Sequence, residues 1–233
     1  MQNKIFIIIS YLISISFILA SFLNSVHFCC YDRSFYTSQH NKLKLYGESI
    51  ADYIGISDSE LYDLTDFTLD YLNDPKANLD IQMNVDGRIR EIFTDDEKLH
   101  MEDVRKLNLI ANYISYIALF IFIISLVIYI KIKGSITMLY SSYIKTLVFT
   151  LCVFIIVGTF VLIDFDTFWT YFHKLFFAGN DLWLLDLRKD ILIMIVPPEF
   201  FNHLVIRILV IFISTICLFG LYLNILRKKK VYD

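Results

Sequence analysis

The chain has 233 residues; 57% are hydrophobic, 19% are charged, and the net charge is −3. Soluble domains carry roughly 45–50% apolar and about 25% charged residues, so the composition argues against a water-soluble fold. The acidic balance gives no bulk attraction to nucleic acid. Four Cys are too few for a disulfide scaffold. An integral membrane protein remains.

Four apolar runs stand out: 5–23, 109–130, 146–163 and 204–226, of 19, 22, 18 and 23 residues. At 1.5 Å per residue each reaches roughly 27–35 Å, enough for a hydrocarbon core of about 30 Å. No strand-like alternation offers a barrel, so the spans are helices. The first reads as an uncleaved signal anchor, because its apolar run is longer than the usual apolar core of a leader and no A-x-A-like site follows. Ser25-Val26-His27-Phe28 ahead of Cys29-Cys30 lacks the small residues of a lipobox.

The short segments on one side carry Lys4, Lys131, Lys133, Lys145, Arg227, Lys228, Lys229 and Lys230, with Asp233 the only acid. The long segment 24–108 holds 9 Lys and Arg against 17 Asp and Glu, a balance of 9 − 17 = −8. The positive-inside rule then puts both termini in the cytoplasm and the segments 24–108 and 164–203 outside. The expected whole is one membrane domain, 1–233. It comprises four transmembrane helices, a small extracytoplasmic α+β cap and a short interfacial or re-entrant helical segment.

Within 24–108, Asp58-Ser59-Glu60 opens a helical spacing of Leu61, Leu64, Phe67 and Tyr71, and Asn73-Asp74-Pro75 closes it. Ile81, Met83 and Val85 alternate up to Asp86-Gly87, a type I′ hairpin signal. Thr94 and Glu97 then form a capping box. The helix so begun carries His100 and can run unbroken into the second span. Asp96, His100, Asp103 and Leu107 share one face. A carboxylate beside His100 would fix its tautomer and raise its basicity. The bland alternative is an ordinary polar face at the water interface.

Within 164–203, Asp166 is the expected N-cap of an interfacial helix rich in aromatic rings. Trp169, His173 and Phe177 fall on one stripe of it. An ionisable group in such a setting is a functional candidate, although an aromatic belt with one incidental His is equally open. Gly179-Asn180-Asp181 reads as a turn and Trp183 as an interface anchor. Asp186 is expected to cap a second short helix, 187–196, ended by Pro197-Pro198. His40 stands alone in polar sequence and is expected to be solvated. His27 and His203 read as markers of span ends. No two His have ligand spacing, so no metal site is assigned. No H-E-x-x-H, G-x-S-x-G, Walker loop or C-x-x-C occurs.

Two stretches carry more than composition. One is Phe93-Thr94-Asp95-Asp96-Glu97-Lys98-Leu99-His100-Met101-Glu102-Asp103-Val104. The other is the order Phe165-Asp166, Phe172-His173, Phe177, Asn180-Asp181, Trp183, Asp190 and Pro198-Glu199-Phe200-Phe201. Together with the four spans they resemble the lipoprotein intramolecular transacylase (Lit) family of low-GC Gram-positive bacteria. The doubled proline is a small local difference. The resemblance implies a cell-membrane acyltransferase that needs no acyl carrier or metal. Its partners would be diacylglyceryl-modified lipoproteins and membrane lipid, and it would act as a monomer. It would move the sn-2 acyl chain to the α-amine of the lipoprotein's N-terminal Cys, giving a lyso-form lipoprotein.

The amine's pKa of about 7.7–8.0 suits an imidazole base. His100 and His173 are the expected catalytic pair, with His173 favoured as base and His100 as acid beside Asp103. Asp96, Asp103, Asn180, Trp183 and Trp169 are the expected supporting residues, with Asn180 or Trp183 able to donate to an oxyanion. From the residues alone, two other classes stay open. One is a non-enzymatic sensor or accessory protein with a binding cap. The other is a different lipid acyltransferase or hydrolase.

Overall fold

The computed structural model describes the backbone of residues 2–232 and the side chains of 4–229. Of the charges used above for orientation, the side chain of Lys230 and all of Asp233 lie outside the described residues. The elements run α1 (Gln2–Cys30), α2 (Arg33–His40), β1 (Lys44–Leu45), β2 (Glu48–Ser49), α3 (Ile50–Ile54), α4 (Asp58–Asn73), β3 (Gln82–Val85) and β4 (Arg88–Glu91). They continue with α5 (Asp95–Lys131), α6 (Ile136–Ile163), α7 (Phe165–Phe176), α8 (Ile191–Ile195) and α9 (Pro198–Tyr232). The helices α1, α5, α6 and α9 are long and apolar enough to cross a membrane. The chain forms two compact units.

The span unit contains residues 1–28, 111–163 and 206–233. Its core gathers Ile13 and Ile18 of α1, Tyr129 of α5, Tyr143 and Leu147 of α6, and Phe212 and Ile216 of α9. In lipid there is little hydrophobic drive between helices, so close packing and interhelical hydrogen bonds hold them. Ser10 and Ser142 share a hydroxyl bond of 2.7 Å. Asn24 Nδ2 donates to Ser115 Oγ at 2.9 Å, and Tyr143 Oη donates to the Ile216 carbonyl at 2.6 Å. Gly220 permits the last approach: a Cβ there would meet the Tyr143 ring at 3.2 Å. The outward faces show Phe120, Phe149, Ile156 and Leu162 exposed, as a lipid-facing surface requires.

The histidine unit contains residues 29–110 and 164–205. Sequence expectation missed α2, the β1–β2 hairpin and α3. Their signals are short: Asp32 caps α2, and Tyr46-Gly47 turns the hairpin with φ of 52° and 96°. The α4 helix starts at Asp58 as the signal predicts, and its cap lies one residue earlier. Its N-cap is Ser57, in a capping box with Glu60. The Asp86-Gly87 hairpin is present, with Met83 opposite Arg90 and both turn residues at positive φ. The α5 capping box is formed, and the helix runs 37 residues without a break. Arg105 ties α5 to the end of α4: its Nη1 donates to the Ala77 carbonyl at 2.7 Å, and its guanidinium lies over the Tyr71 ring.

Three expectations need correction. The N-cap of α7 is Asp164, whose Oδ1 accepts from Thr167 N at 3.0 Å; Asp166 sits inside the first turn. The second short helix is only Ile191–Ile195, because residues 186–190 form a turn in which Asp190 Oδ2 accepts from Asp186 N at 2.7 Å. His40 is not solvated. It is buried, with its Nε2 3.0 Å from the Ile195 carbonyl. Pro197 precedes α9, and Pro198 is its first residue, where a missing N–H costs nothing.

Replacing Tyr143 with Phe removes the buried bond to Ile216 while keeping the ring. A loss of about 1 kcal/mol is expected, read as a lower melting temperature of the purified protein in detergent.

Candidate functional site

The site grows from two helices of the histidine unit. In α5, residues 95–108 precede the apolar stretch 109–130, so His100 lies outside the membrane-spanning segment. In α7, an apolar stripe forces Trp169, His173 and Phe177 to one face, while Tyr171, Leu175 and Phe176 remain exposed on the other. Such an exposed apolar face suits lipid headgroups.

These two helices bring His100 and His173 together. Their ring centroids are 6.0 Å apart with the planes tilted by 33°. Both side chains are buried, at 7% and 6% exposure. Phe177 packs edge-on against His100 at 5.2 Å. Trp183 stacks on His173 at 5.0 Å and 26°, and Trp169 meets it edge-on at 4.6 Å. Phe201 of α9 lies against Trp169 at 4.4 Å. The two imidazoles therefore stand in a box of rings.

The hydrogen bonds make the two rings unequal. His173 Nδ1 lies 2.8 Å from the Trp169 carbonyl. A carbonyl can only accept, so Nδ1 carries the proton and Nε2 keeps its lone pair. His100 Nδ1 is buried and has no hydrogen-bond partner among the described residues. Burial first, and the neighbouring His173 second, push the His100 imidazole down to about 4, with Asp103 acting the other way. Burial also holds His173 below the usual range, opposed by its bond to Trp169. Both rings are neutral at pH 7, and the pair does not hold two protons.

The supporting residues separate into two groups. Trp169, Trp183, Asn180 and Asp103 are part of the cluster. Asp103 does not hold His100 as expected from helical spacing. Its Oδ2 accepts from Asn180 Nδ2 at 3.0 Å, and its Oδ1 faces Lys106 at 3.3 Å. Asn180 Oδ1 in turn accepts from Leu182 N at 3.1 Å. Asn180 is thus a tether between the loop and α5. Asp96 is exposed in the first turn of α5, where a carboxylate favours the helix dipole. Two residues that the motifs include were given no place in the site by sequence. Phe201 carries no chemical signal of its own. Glu97 reads only as a cap, yet it is wholly buried.

A family model for the lipoprotein intramolecular transacylase Lit matches residues 11–201. The chain belongs to this family. As a Lit family member it is a multi-pass membrane acyltransferase. Among solved structures it is similar to the membrane-integral Lit from Bacillus cereus, with a TM-score of 0.77 and 22% identity over 99% of this chain and 100% of that one. It is also similar to a form of that protein in which a histidine is replaced by alanine, with a TM-score of 0.74 and 22% identity over 100% of this chain and 98% of that one. A third, with a histidine replaced by arginine, has a TM-score of 0.73 and 22% identity over 100% and 96%. These likenesses establish the four-span fold with its small helix-and-strand unit. The curated proteins contain no match. The family assignment displaces the sensor or accessory alternative.

The buried imidazoles set a pH signature for stability. His40, His100 and His173 all resist protonation in the folded state because they are buried. The unfolded chain takes up their protons near pH 6.5. Stability is therefore complete above that pH and falls as pH drops below it, since the unfolded state binds more protons. The melting temperature should decline between pH 6.5 and 5, and His100→Gln should flatten that decline.

Proposed function

We propose that His100 and His173 move the proton in this enzyme's acyl transfer, on the extracytoplasmic side of the membrane. The substrate is a lipoprotein whose N-terminal Cys carries an S-diacylglyceryl group and a free α-amine. The amine attacks the sn-2 ester carbonyl, and an N–C bond forms. The bond from the acyl carbon to the glyceryl oxygen breaks. The proton leaves nitrogen and ends on that oxygen, so total mass is unchanged and no water is consumed.

One observation carries this reading: two buried imidazoles side by side, one with its tautomer set. His173 is the base, because its Nε2 lone pair is available while Nδ1–H is held by Trp169. Trp183, stacked on the His173 ring, supports the imidazolium that forms, as an aromatic face does for a cation. His100 is the acid. A group held near pKa 4 is a strong proton donor once it has received a proton, and His173 stands beside it to supply one. Amine and ester belong to one molecule, so much of the barrier is met by orientation, worth roughly 7–11 kcal/mol in favourable cases.

The extracytoplasmic assignment rests on charge. Lys131, Lys133, Lys145 and the basic end of α9 mark the cytoplasmic side, which places both termini there as well. The acidic segment 24–108 and the segment 164–203, which carry the two histidines, face out. On this reading the pair shares the side of the membrane on which an outer-leaflet lipoprotein presents its glyceryl group.

The test is mass spectrometry of a lipoprotein's N-terminal lipopeptide, from a host whose lipoproteins stay diacylglyceryl-modified. The wild-type chain should move one acyl chain from glycerol to nitrogen at constant mass. Loss of an acyl chain would instead mean a hydrolase. His100→Gln and His173→Gln should each lower turnover about 10²–10⁴-fold, the usual scale of acid–base catalysis. Near wild-type yield from either variant removes that residue from the mechanism.

A further inference from the structure

Glu97 is 0% exposed. Carboxylates are rarely buried so fully without a paired cation, and none of the ion pairs among the described residues includes it. Its Oε2 accepts from Thr94 N at 2.7 Å and Thr94 Oγ1 at 2.9 Å, closing the capping box. Its Oε1 does something a cap does not require. It accepts from Leu192 N at 2.7 Å, across 95 residues of sequence. The chain contains its own comparison: the Glu60 carboxylate in the other capping box bonds, among the described residues, to Ser57 alone and stays partly exposed.

Positions 97, 100 and 103 follow one another at three-residue steps on α5, about 4.5 Å of rise apart. Their side chains fan over roughly 120° with His100 in the middle. The flanking pair both hold the same piece of chain. Asp103 takes Asn180 at 3.0 Å, and Glu97 takes Leu192 at 2.7 Å. Between these two anchors lies Trp183, the ring on which His173 stacks.

We infer that Glu97 is a positioning residue for catalysis, which fastens the 180–192 segment to α5 so that Trp183 and His173 stay in register with His100. The inference rests on the reading of His100 and His173 as the active pair. Burying an ionised carboxylate is costly. A capped helix alone does not demand it, but a fixed distance between two chain segments does. A shift of about 1 Å at a reacting group can cost about 10²-fold in rate.

The experiment uses the full-length enzyme in detergent with a diacylglyceryl lipopeptide. Glu97→Gln keeps the size but turns one acceptor into a donor that faces an N–H. Its kcat should fall 10–100-fold with KM within about threefold, at a temperature where the melting curve shows it folded. Thr94→Val loses only part of the cap and should keep kcat within twofold. Trp169 and Trp183 are the only tryptophans, so in a Trp169→Phe background the emission reports Trp183. Adding Glu97→Gln to that background should shift the emission to the red. Should Glu97→Gln fail to fold, Glu97→Asp, one methylene short of Leu192, carries the same expectations. Unchanged kcat and emission would overturn the inference, as would an equal loss in Thr94→Val. His173→Gln, assayed alongside, separates the two readings. If it is active, the histidine pair is wrong; if it is dead while Glu97→Gln is normal, only the positioning role falls.

Discussion

A bilayer cannot hydrogen-bond a peptide group, and that constraint governs α5 more than any other element. Once residues 109–130 lie in hydrocarbon, their backbone must be satisfied within the helix. A helix already obliged to be long is easily extended, and the Thr94–Glu97 box begins it four turns before the apolar run. The result is one unbroken helix with His100 in its second turn, its rotation set relative to Glu97 and Asp103 by the helical repeat.

The partner imidazole arrives by a different route. The α7 helix is too short to span and too aromatic to remain in water. Its stripe of rings turns His173 inward, where it meets Trp169, Phe177 and Trp183. Removing water from both rings has two effects at once. It makes the charged forms costly, so the pair rests neutral and ready to accept a proton. It also strengthens whatever interaction develops when a charge does appear, because the surroundings screen it poorly. The unpaired Nδ1 of His100 and the held Nδ1 of His173 belong to that arrangement.

Polar side chains hold the frame around the two rings. Asn180 spends its donor on Asp103 and its acceptor on Leu182. Glu97 spends both oxygens on backbone and hydroxyl donors. His40 holds the far end of α8 through the Ile195 carbonyl. The segment between α7 and α9 contains little regular structure, so side chains from α2 and α5 do for it what a sheet or helix ladder would do elsewhere.

Local chemistry alone determined much of this protein. Spans are written as uninterrupted apolar runs, the α5 start as Thr-x-x-Glu, and the β3–β4 turn as Asp-Gly, because each signal involves neighbours a few residues apart. Helical spacing and the aromatic stripe marked His100 and His173 as candidates beside bland readings, and the family resemblance of the two motifs singled them out as a pair. The α3 helix was not legible, since five residues carry too little periodicity to register, and α8 was expected but with a start four residues too early. Tertiary structure decided what no local rule reaches. It set the 6.0 Å between two rings 73 residues apart in sequence and gave Asp103 to Asn180 rather than to His100. It buried His40, and it distinguished Glu97 from Glu60 although both close the same motif. The physical reason is common to all four. Burial and hydrogen-bond partners come from chain segments brought together only on folding, and the sequence around each residue contains no record of them.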